Sequence, residues 1–294
     1  MRTVDLFCGC GGMTLGFQKA GYDVAAGFDN WDVAISVYKL NFDHSVYRLD
    51  LSDEESAVNQ ISRYNPDVIV GGPPCQDFSI AGKRKEQSRA NLTVSFSNIV
   101  CAICPKIFVM ENVYSIEKTS SLALAKSIFK HHGYGLTSLI LDSSLANVPQ
   151  KRKRFFLIGM QNVNDDHFKD SIQSKLSSKS LTVYEYFKGK IDVEHYYAHP
   201  RNYKRRAVFS VHEPSSTIRR VNRPIPSNYI KHPADKADIS EFVRPLTTEE
   251  RSRIQTFPTT FKFVGSKSQQ EQMIGNAVPV NLAEYVARRI KESL

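Results

Sequence analysis

The sequence is poor in cysteine and tryptophan and has no long apolar segment. It contains five cysteines and one tryptophan among 294 residues, which favours a reducing compartment over a disulfide scaffold. No apolar run approaches the roughly 20 residues that span a bilayer, no signal peptide precedes the first predicted strand, and no internal repeat occurs. We therefore expect a soluble intracellular protein, and the length suggests roughly two domains.

Two common nucleotide-binding motifs are missing as well. A predicted strand at residues 3–7 ends in a turn that carries Gly9, Gly11 and Gly12. The G-x-G-x-x-G motif requires glycine where this chain has Thr14, and no lysine follows the glycines as a phosphate-binding loop requires. A nicotinamide or flavin site and a phosphate cradle are therefore disfavoured. The order of strand, glycine turn and helix still predicts a site where the backbone approaches a nucleoside closely.

Two further strand ends carry carboxylates. Asp29 follows the apolar residues 24–28, and Asp50 follows a shorter predicted strand at residues 46–49. A carboxylate at the end of the second strand of such a fold can accept both hydroxyls of a ribose. Each aspartate alone is also compatible with a solvated loop. Together with the glycine turn, the two carboxylates indicate an adenosine-like ligand.

One cysteine lies in a rigid loop directly after an apolar strand. Residues 67–70 form the predicted strand, two glycines close it, and Pro73 and Pro74 hold the chain extended before Cys75. Open α/β sheets place active groups just beyond such strand ends, so Cys75 is a candidate nucleophile. From the loop alone, the alternative is a small buried hydrophobic residue.

A carboxylate follows the next apolar run along the chain. Residues 106–110 predict another strand, which ends in Glu111-Asn112-Val113. If the two strands are neighbours, Glu111 and Cys75 face one cleft and supply an acid/base group and a nucleophile. The alternative is a glutamate that caps the following helix.

Six sequence blocks, in order, resemble those of cytosine C5 methyltransferases that use S-adenosylmethionine. They are DLFCGCGG at 5–12, GGPPCQDFS at 71–79, ENV at 111–113, QKRKR at 150–154, RPLTTEERSRIQTFP at 244–258 and GNAVPV at 275–280. The resemblance implies an α/β fold, with a Rossmann-like S-adenosylmethionine-dependent methyltransferase domain and a smaller target recognition domain. It implies a discontinuous catalytic and cofactor-binding domain at 1–165 and 268–294, completed by a predicted helix at 281–290. The small domain covers 166–267, with target recognition at about 181–241 and a linker at 170–180.

The resemblance also assigns the chemistry. Cys75 adds as a thiolate to C6 of cytosine, and C5 then attacks the methyl group of the sulfonium. Glu111 hydrogen-bonds N3 and the exocyclic amine, Arg154 is an electrostatic partner for the thiolate, and Arg152 is a second group aimed at the cleft. Because a duplex hides C6, the target base must be flipped out. Water is expected to take the C5 proton.

The cofactor assignment follows the same blocks. The predicted S-adenosylmethionine-binding residues are Phe7, Gly9, Gly11, Gly12, Asp29, Asn30, Asp50, Leu51, Pro74, Leu92, Asn276 and Val278. Two of them depart from the commoner family pattern. Asp29 stands where glutamate is usual, and Leu92 lies in a segment where many relatives have G-x-L-F.

The charge distribution predicts a polyanionic partner. Lysine and arginine outnumber acids by 39 to 30, a net charge of +9, and positions 201–223 hold seven basic residues and one acid, Glu213. Phosphate neutralisation explains this segment, and a solvated basic loop is the alternative. A second basic loop, residues 79–89, is expected to close over DNA. The predicted DNA-binding residues are Gln76, Ser79, Lys83, Arg84, Arg205, Arg206, Thr217, Arg219, Arg220, Asn222 and Arg223.

Other readings stay open at this point. Two cysteine pairs, Cys8 with Cys10 and Cys101 with Cys104, could in principle hold zinc, although we predict no metal. An RNA cytosine methyltransferase and a catalytically silent DNA-binding homologue are rivals to the DNA-modifying enzyme. By resemblance we expect a bacterial cytoplasmic monomer that acts on double-stranded DNA. We also expect a cognate restriction endonuclease that forms no stable complex with it, and no membrane partner.

Overall fold

The structure is a computed structural model that describes residues 1–74, 92–202 and 204–294. The chain forms two compact units. Unit 1 comprises residues 1–141, 153–176 and 283–294, and unit 2 comprises 142–152 and 177–282. Unit 2 thus includes 142–152 and 268–282, which the sequence analysis expected in the catalytic domain, and unit 1 includes 166–176, expected in the small domain. The functional assignment of the two domains stays a prediction.

Unit 1 is built on a seven-stranded sheet, which confirms the predicted α/β class. Its strands are β1 (Arg2–Leu6), β2 (Asp23–Asp29), β3 (Ser45–Arg48), β4 (Val68–Gly71), β5 (Ile107–Val113), β6 (Tyr134–Asp142) and β7 (Lys153–Gln161). Their order is β3-β2-β1-β4-β5-β7-β6. The first five pair in parallel, and β7 runs antiparallel to β5. The carboxyl ends of the parallel strands therefore meet at one edge.

Helices cover this sheet because its central strands are apolar on both faces. They are α1 (Gly12–Lys19), α2 (Asp32–Asn41), α3 (Glu54–Ile61), α4 (Leu92–Ile103), α5 (Ser120–His131), α6 (Lys169–Gln173) and α10 (Val280–Glu292), which enters unit 1 at residue 283. Phe108 of β5 stacks on Phe129 of α5, with ring centroids 3.9 Å apart. None of the helices in the described part of the chain is long and apolar enough to cross a bilayer.

Unit 2 contains a small sheet and short helices. Its strands are β8 (His195–Tyr197), β9 (Val208–Ser210) and β10 (Arg244–Pro245), in the order β10-β8-β9. The helices α7 (Val183–Phe187), α8 (Thr248–Ile254) and α9 (Lys267–Asn276) each begin with a capping box. In α8, the Thr247 side chain accepts from the Glu250 N–H while Glu250 reaches back to Thr247. The T-x-x-E spacing in the sequence therefore fixes where this helix starts.

Candidate active site and nucleic-acid interface

The glycine turn after β1 is closely packed. Phe7 and Gly11 both adopt positive φ, 57° and 93°, and the Gly11 N–H donates to the Cys8 carbonyl at 2.9 Å. A Cβ at Gly11 would lie 2.3 Å from Cε2 of Phe42. No other residue fits this turn without moving that ring, so the position requires glycine.

Asp29, at the end of β2, is fixed by the turn. Its Oδ2 accepts from the Gly9 N–H at 2.8 Å, and its Oδ1 accepts from the Trp31 N–H at 2.9 Å. Burial raises the pKa of the Asp29 carboxyl, while these backbone donors lower it. Each carboxylate oxygen has two lone pairs, so the carboxylate retains capacity to accept a further hydrogen bond.

Asp50 and Leu51 lie at the same sheet edge. The Leu49 N–H donates to the Asp29 carbonyl at 2.9 Å, which ties the end of β3 to the end of β2. Asp50 is exposed and accepts from the N–H and hydroxyl of Ser52 at 3.0 and 2.7 Å, and these bonds hold its pKa below the usual value. Leu51 is buried, and Asn30 beside Asp29 is exposed. A polar and an apolar group thus flank one strand end.

The sequence analysis missed a buried carboxyl group behind the glycine turn. Asp5 of β1 is 1% exposed, and its Oδ2 accepts from the N–H and hydroxyl of Thr14 at 3.1 and 2.6 Å. The Thr14 hydroxyl also contacts the hydroxyl of Tyr38, which bonds His44 Nε2 at 2.7 Å. Burial raises the pKa of Asp5 to about 7. Thr14, the residue that breaks the dinucleotide motif, is therefore what anchors α1 to β1.

Glu111 and Arg154 form an ion pair at the end of β5. In the antiparallel pairing of β5 with β7, Glu111 lies opposite Phe156 and Val113 opposite Arg154, so Arg154 is a diagonal neighbour of Glu111. Arg154 Nε lies 2.8 Å from Glu111 Oε1, with side chains 12% and 9% exposed. Burial lowers the pKa of Arg154, and the Glu111 carboxylate counteracts it.

The chain that leaves β4 passes beside this pair. The Asn112 side-chain amide donates to the Pro73 carbonyl at 2.7 Å, and a Cβ at Gly72 would lie 3.4 Å from Glu111 Oε2. Pro74 is exposed, and Leu92 begins α4. Cys75, which follows Pro74, lies outside the described residues. So do four predicted DNA-binding residues, Gln76, Ser79, Lys83 and Arg84.

Arg152 donates hydrogen bonds to backbone carbonyls that are far away in the sequence. Its side chain is 1% exposed and belongs to unit 2. The guanidinium donates to the carbonyls of Ile218 and Gly275, each at 2.8 Å, and to that of Ala277 at 3.2 Å. These bonds tie Arg152 to the backbone at Ile218 and at residues 275–277 and stabilise the fold there, and its role in catalysis stays a prediction.

Two glutamines complete this connection. Gln150 accepts from the Ile218 N–H at 2.8 Å and donates to Gln255 Oε1 at 2.7 Å. Gln255 in turn donates to the Ile274 carbonyl at 2.6 Å. A Cβ at Gly275 would lie 2.4 Å from the backbone of Arg219. Residues 150–152 and the blocks at 244–258 and 275–280 therefore meet in unit 2, where Asn276 is exposed and Val278 buried.

The predicted DNA-binding residues of unit 2 fall into two groups. Arg206 forms two hydrogen bonds with Glu213, at 2.9 and 2.7 Å, and Asn222 donates to the Leu246 carbonyl at 2.8 Å. The Thr217 hydroxyl donates to a backbone carbonyl at 2.8 Å. The side chains of Arg205, Arg220 and Arg223 are exposed, and Arg219 is half-buried.

The two cysteine pairs considered as zinc ligands differ in their burial. Cys8 and Cys10 are buried in the glycine turn, and burial raises the pKa of both thiols. Cys101 is buried within α4, and Cys104 follows it, exposed. Within residues 1–74, 92–202 and 204–294, no group of three or more potential metal ligands occurs.

Comparison with known proteins identifies relatives along the whole chain. The family model described as C-5 cytosine-specific DNA methylase matches residues 1–292. Type II methyltransferase M.HindV of Haemophilus influenzae is 54% identical over 99% of this chain and 96% of its own length. Type II methyltransferase M.HgiDI of Herpetosiphon aurantiacus is 52% identical over 100% and 95%.

Solved structures share the fold at low identity. The S. pombe Dnmt2 methyltransferase superposes with a TM-score of 0.73 at 17% identity, covering 99% of this chain and 98% of that one. The Entamoeba histolytica methyltransferase EhMeth gives a TM-score of 0.69 at 16% identity, with coverage of 99% and 98%.

Proposed function

Since the chain belongs to the C-5 cytosine-specific DNA methylase family and is a DNA (cytosine-5-)-methyltransferase, we propose how its residues carry out that reaction. S-adenosylmethionine supplies the methyl group, and the acceptor is C5 of a cytosine flipped out of a short specific duplex sequence. Cys75 forms the covalent bond to C6 that activates C5.

The Glu111–Arg154 pair beside Pro73 is the observation that carries this proposal. It supplies a carboxylate with one oxygen bonded to Arg154 and the other facing the chain that leads to Cys75. A carboxylate held this way binds the exocyclic amine of cytosine, and with a proton it also binds N3. The proton given to N3 draws electron density away from C6 as the thiolate adds, and the contact with the amine holds the base in place. Arg154 fixes the side chain and adds positive charge, which favours the thiolate of a nearby cysteine.

The residues of the glycine turn fit a nucleoside cofactor. The turn leaves no room for a Cβ at Gly11, and Asp29 keeps spare acceptor capacity. We propose that Asp29 binds the ribose, that Asp50 and Leu51 flank the adenine, and that Phe7 with the glycine backbone lines the methionine end. Asn30, Pro74, Leu92, Asn276 and Val278 stay predictions for the same ligand, S-adenosylmethionine.

Unit 2 supplies the proposed recognition surface for double-stranded DNA, within residues 181–241. Exposed arginines there fit phosphates and guanine edges. We further propose a bacterial cytoplasmic monomer that belongs to a restriction-modification system, because two of its relatives are named type II methyltransferases. The partner endonuclease is expected to act on the same sequence without forming a stable complex.

The proposal is tested by base-resolution methylation sequencing of DNA from a methylation-free host that expresses the protein. Modified cytosines within one short motif are expected. They should vanish with Cys75→Ala and persist with Cys104→Ala, which removes an exposed cysteine after α4. A Cys75→Ser enzyme that still methylates would exclude the covalent mechanism. Unmodified DNA but modified RNA cytosines would overturn the choice of substrate.

A further inference from the structure

A buried carboxyl group lies directly behind the glycine turn that we assign to the cofactor. Asp5 is 1% exposed, and no lysine or arginine of the described residues acts on its charge. The parallel pairing of β1 with β2 sets Asp5 opposite Gly27, so Asp29, two residues further along β2, projects from the same face of the sheet. A carboxylate withdrawn from water beside a second carboxylate is unfavourable unless a cation joins it.

The other titratable groups around Asp5 supply no positive charge either. They are the thiols of Cys8 and Cys10 and the hydroxyl of Tyr38. Burial raises the pKa of all three groups, so each is neutral near pH 7. Beyond Tyr38, burial lowers the pKa of the His44 imidazole, although nearby aspartates oppose this shift. The Asp5 carboxyl therefore has no positive partner among these groups before a ligand binds.

A chain of hydrogen bonds connects Asp5 to a half-buried histidine. The Thr14 hydroxyl lies 2.6 Å from Asp5 Oδ2 and 2.9 Å from the Tyr38 hydroxyl. The Tyr38 hydroxyl lies 2.7 Å from Nε2 of His44. A Cβ at Gly27 would lie 2.8 Å from the Tyr38 hydroxyl oxygen, so the glycine leaves the space that this chain occupies.

The chain is complete in both protonation states of Asp5. When Asp5 is ionised, the Thr14 hydroxyl donates to it and the Tyr38 hydroxyl donates to Thr14. His44 Nε2 then donates to Tyr38, and its Nδ1 accepts from the Gln18 side-chain amide, 3.4 Å away. With a proton on Asp5, every bond of the chain reverses, and the Gln18 side chain turns so that its oxygen accepts from Nδ1. Since neither state leaves a hydroxyl of the chain unpaired, Asp5 exchanges a proton without disrupting the fold around it.

The proposed methyl donor and its product differ by one positive charge. The sulfonium of S-adenosylmethionine is a permanent cation, whereas the sulfur of S-adenosylhomocysteine is neutral. A cation near a carboxyl group favours the ionised form of that group, and the ionised group in turn favours the cation. Burial raises the pKa of the free Asp5 carboxyl to about 7. Its charge therefore responds to a nearby cation near neutral pH.

We propose that Asp5 senses the charge of the cofactor: its carboxyl releases a proton to solvent when S-adenosylmethionine binds and takes one back once the methyl group has left. The chain through Thr14 and Tyr38 to His44 gives this proton a route. The inference rests on the proposed cofactor and concerns a residue that the sequence analysis did not select. Because Asp5 is buried, it acts through its charge, which strengthens binding of the methyl donor relative to the product.

The test is isothermal titration calorimetry of the full chain with each ligand between pH 5.5 and 8. The Kd for S-adenosylmethionine should fall by up to about tenfold per pH unit as the pH rises to 7, and then level off. The Kd for S-adenosylhomocysteine should lack this slope. Buffers with different ionisation enthalpies count the protons. At pH 6, S-adenosylmethionine should release up to about one proton more than S-adenosylhomocysteine, and this difference should shrink above pH 7.

Asp5→Asn is the matched variant because it removes the charge and keeps an oxygen that accepts from both Thr14 groups. It should lose the pH slope and bind S-adenosylmethionine at every pH with no greater affinity than the wild type shows at pH 5.5. Its Kd for S-adenosylhomocysteine should stay near the wild-type value. Glu55→Gln, which removes an exposed carboxylate of α3, should match the wild type with both ligands. If Asp5→Asn does not fold, the proton count of the wild type still decides the question.

A measurement without ligand tests the buried carboxyl by itself. The folded Asp5 carboxyl binds its proton more tightly than the unfolded one, whose pKa is about 3.9. The wild type should therefore lose stability relative to Asp5→Asn as the pH rises from 5 to about 7, and no further above that. Urea midpoints that stay parallel for the two proteins over this range would overturn the inference.

The outcomes separate this inference from the proposed function. If S-adenosylmethionine binds with equal pH slopes to the wild type and to Asp5→Asn, the inference fails and the proposed cofactor stands. An equal slope for both ligands in the wild type also overturns it, because the sulfonium is then not what Asp5 detects. If S-adenosylmethionine does not bind at all, the proposed cofactor is wrong and the inference falls with it.

Discussion

Glu111 and Arg154 of unit 1 lie 2.8 Å apart with most of each side chain buried, whereas Arg201, Arg205 and Arg223 of unit 2 are exposed. In unit 1, opposite charges satisfy one another in a poorly solvated place. In unit 2, like charges stand together at the surface. The first arrangement fixes a side chain in position, and the second leaves binding capacity unused.

The proposed function accounts for this difference between the two regions. A group that polarises a base must keep one orientation before the base arrives. A surface that holds a polyanion gains from releasing counterions, and charges already paired within the protein release none. Pairing is therefore a guide to role within this chain, and four substitutions test it.

The largest effect is expected from Glu111→Gln. Glutamine still accepts from Arg154 but cannot carry the proton that N3 of cytosine requires, so we expect kcat to fall by about 10²–10⁴-fold. DNA affinity should change little. Single-turnover methyl transfer measures the step, and Glu117→Gln, an exposed glutamate nearby, is the matched control. An unchanged rate would remove Glu111 from the chemistry.

The next effect is on stability. Arg152→Met leaves the carbonyls of Ile218 and Gly275 without their donor, and each buried unsatisfied group costs about 1–3 kcal/mol. We expect unfolding free energy to fall by roughly 3 kcal/mol, with kcat of the folded enzyme nearly unchanged. Denaturant titration measures it beside Lys151→Met, which alters an exposed neighbour. A normal stability with a large loss of kcat would restore the role in catalysis predicted from sequence.

A smaller change is expected from Arg223→Gln. Removing one phosphate contact should weaken binding to all duplexes and reduce the slope of log Kd against log salt by about one. Affinity measured at several salt concentrations gives the slope directly. An unaltered slope with altered sequence preference would make Arg223 a base-reading residue instead.

The smallest effect is expected from Arg206→Gln. Arg206 already bonds Glu213 and stacks over Phe209 at 4.3 Å, so the salt slope of DNA binding should stay at the wild-type value. Thermal unfolding should show a loss of about 1 kcal/mol, at the upper end of the range for surface pairs, because this pair is partly buried. If Arg206→Gln reduces the slope as much as Arg223→Gln, pairing does not report role in this unit.

Local patterns were sufficient to predict the strands. The apolar run at 67–70 lies within one residue of β4 (Val68–Gly71), and the helix predicted at 281–290 lies inside α10 (Val280–Glu292). The carboxylates Asp29 and Glu111 were found because they end such runs. These features depend only on residues that are close together in the sequence, so the sequence pattern is enough to predict them.

Side-chain partners were harder to predict because they lie far away in the sequence. Arg152 matched a family block, but its hydrogen-bond partners are 66 and 123 positions away. The neighbouring sequence therefore does not tell a buried structural arginine from one that faces a cleft. Asp5 looked like one polar residue in an apolar strand. The sequence analysis used its partner Thr14 only as evidence that a motif glycine is absent. Asp5 and Thr14 lie nine positions apart, so the pair could have been considered together.

The long-range bonds that brace both units also set the order of events during synthesis. The hydrogen bond between Gln150 and Gln255 cannot form until 105 more residues have been synthesised. In unit 1, the hydrogen bond from the Tyr22 hydroxyl to the Ala287 carbonyl requires 265 more residues. The bond of unit 2 can therefore form before α10 is synthesised, whereas the bond of unit 1 cannot. The contact between Tyr22 and α10 is thus among the last of unit 1 to form, although all seven strands of its sheet are synthesised by residue 161.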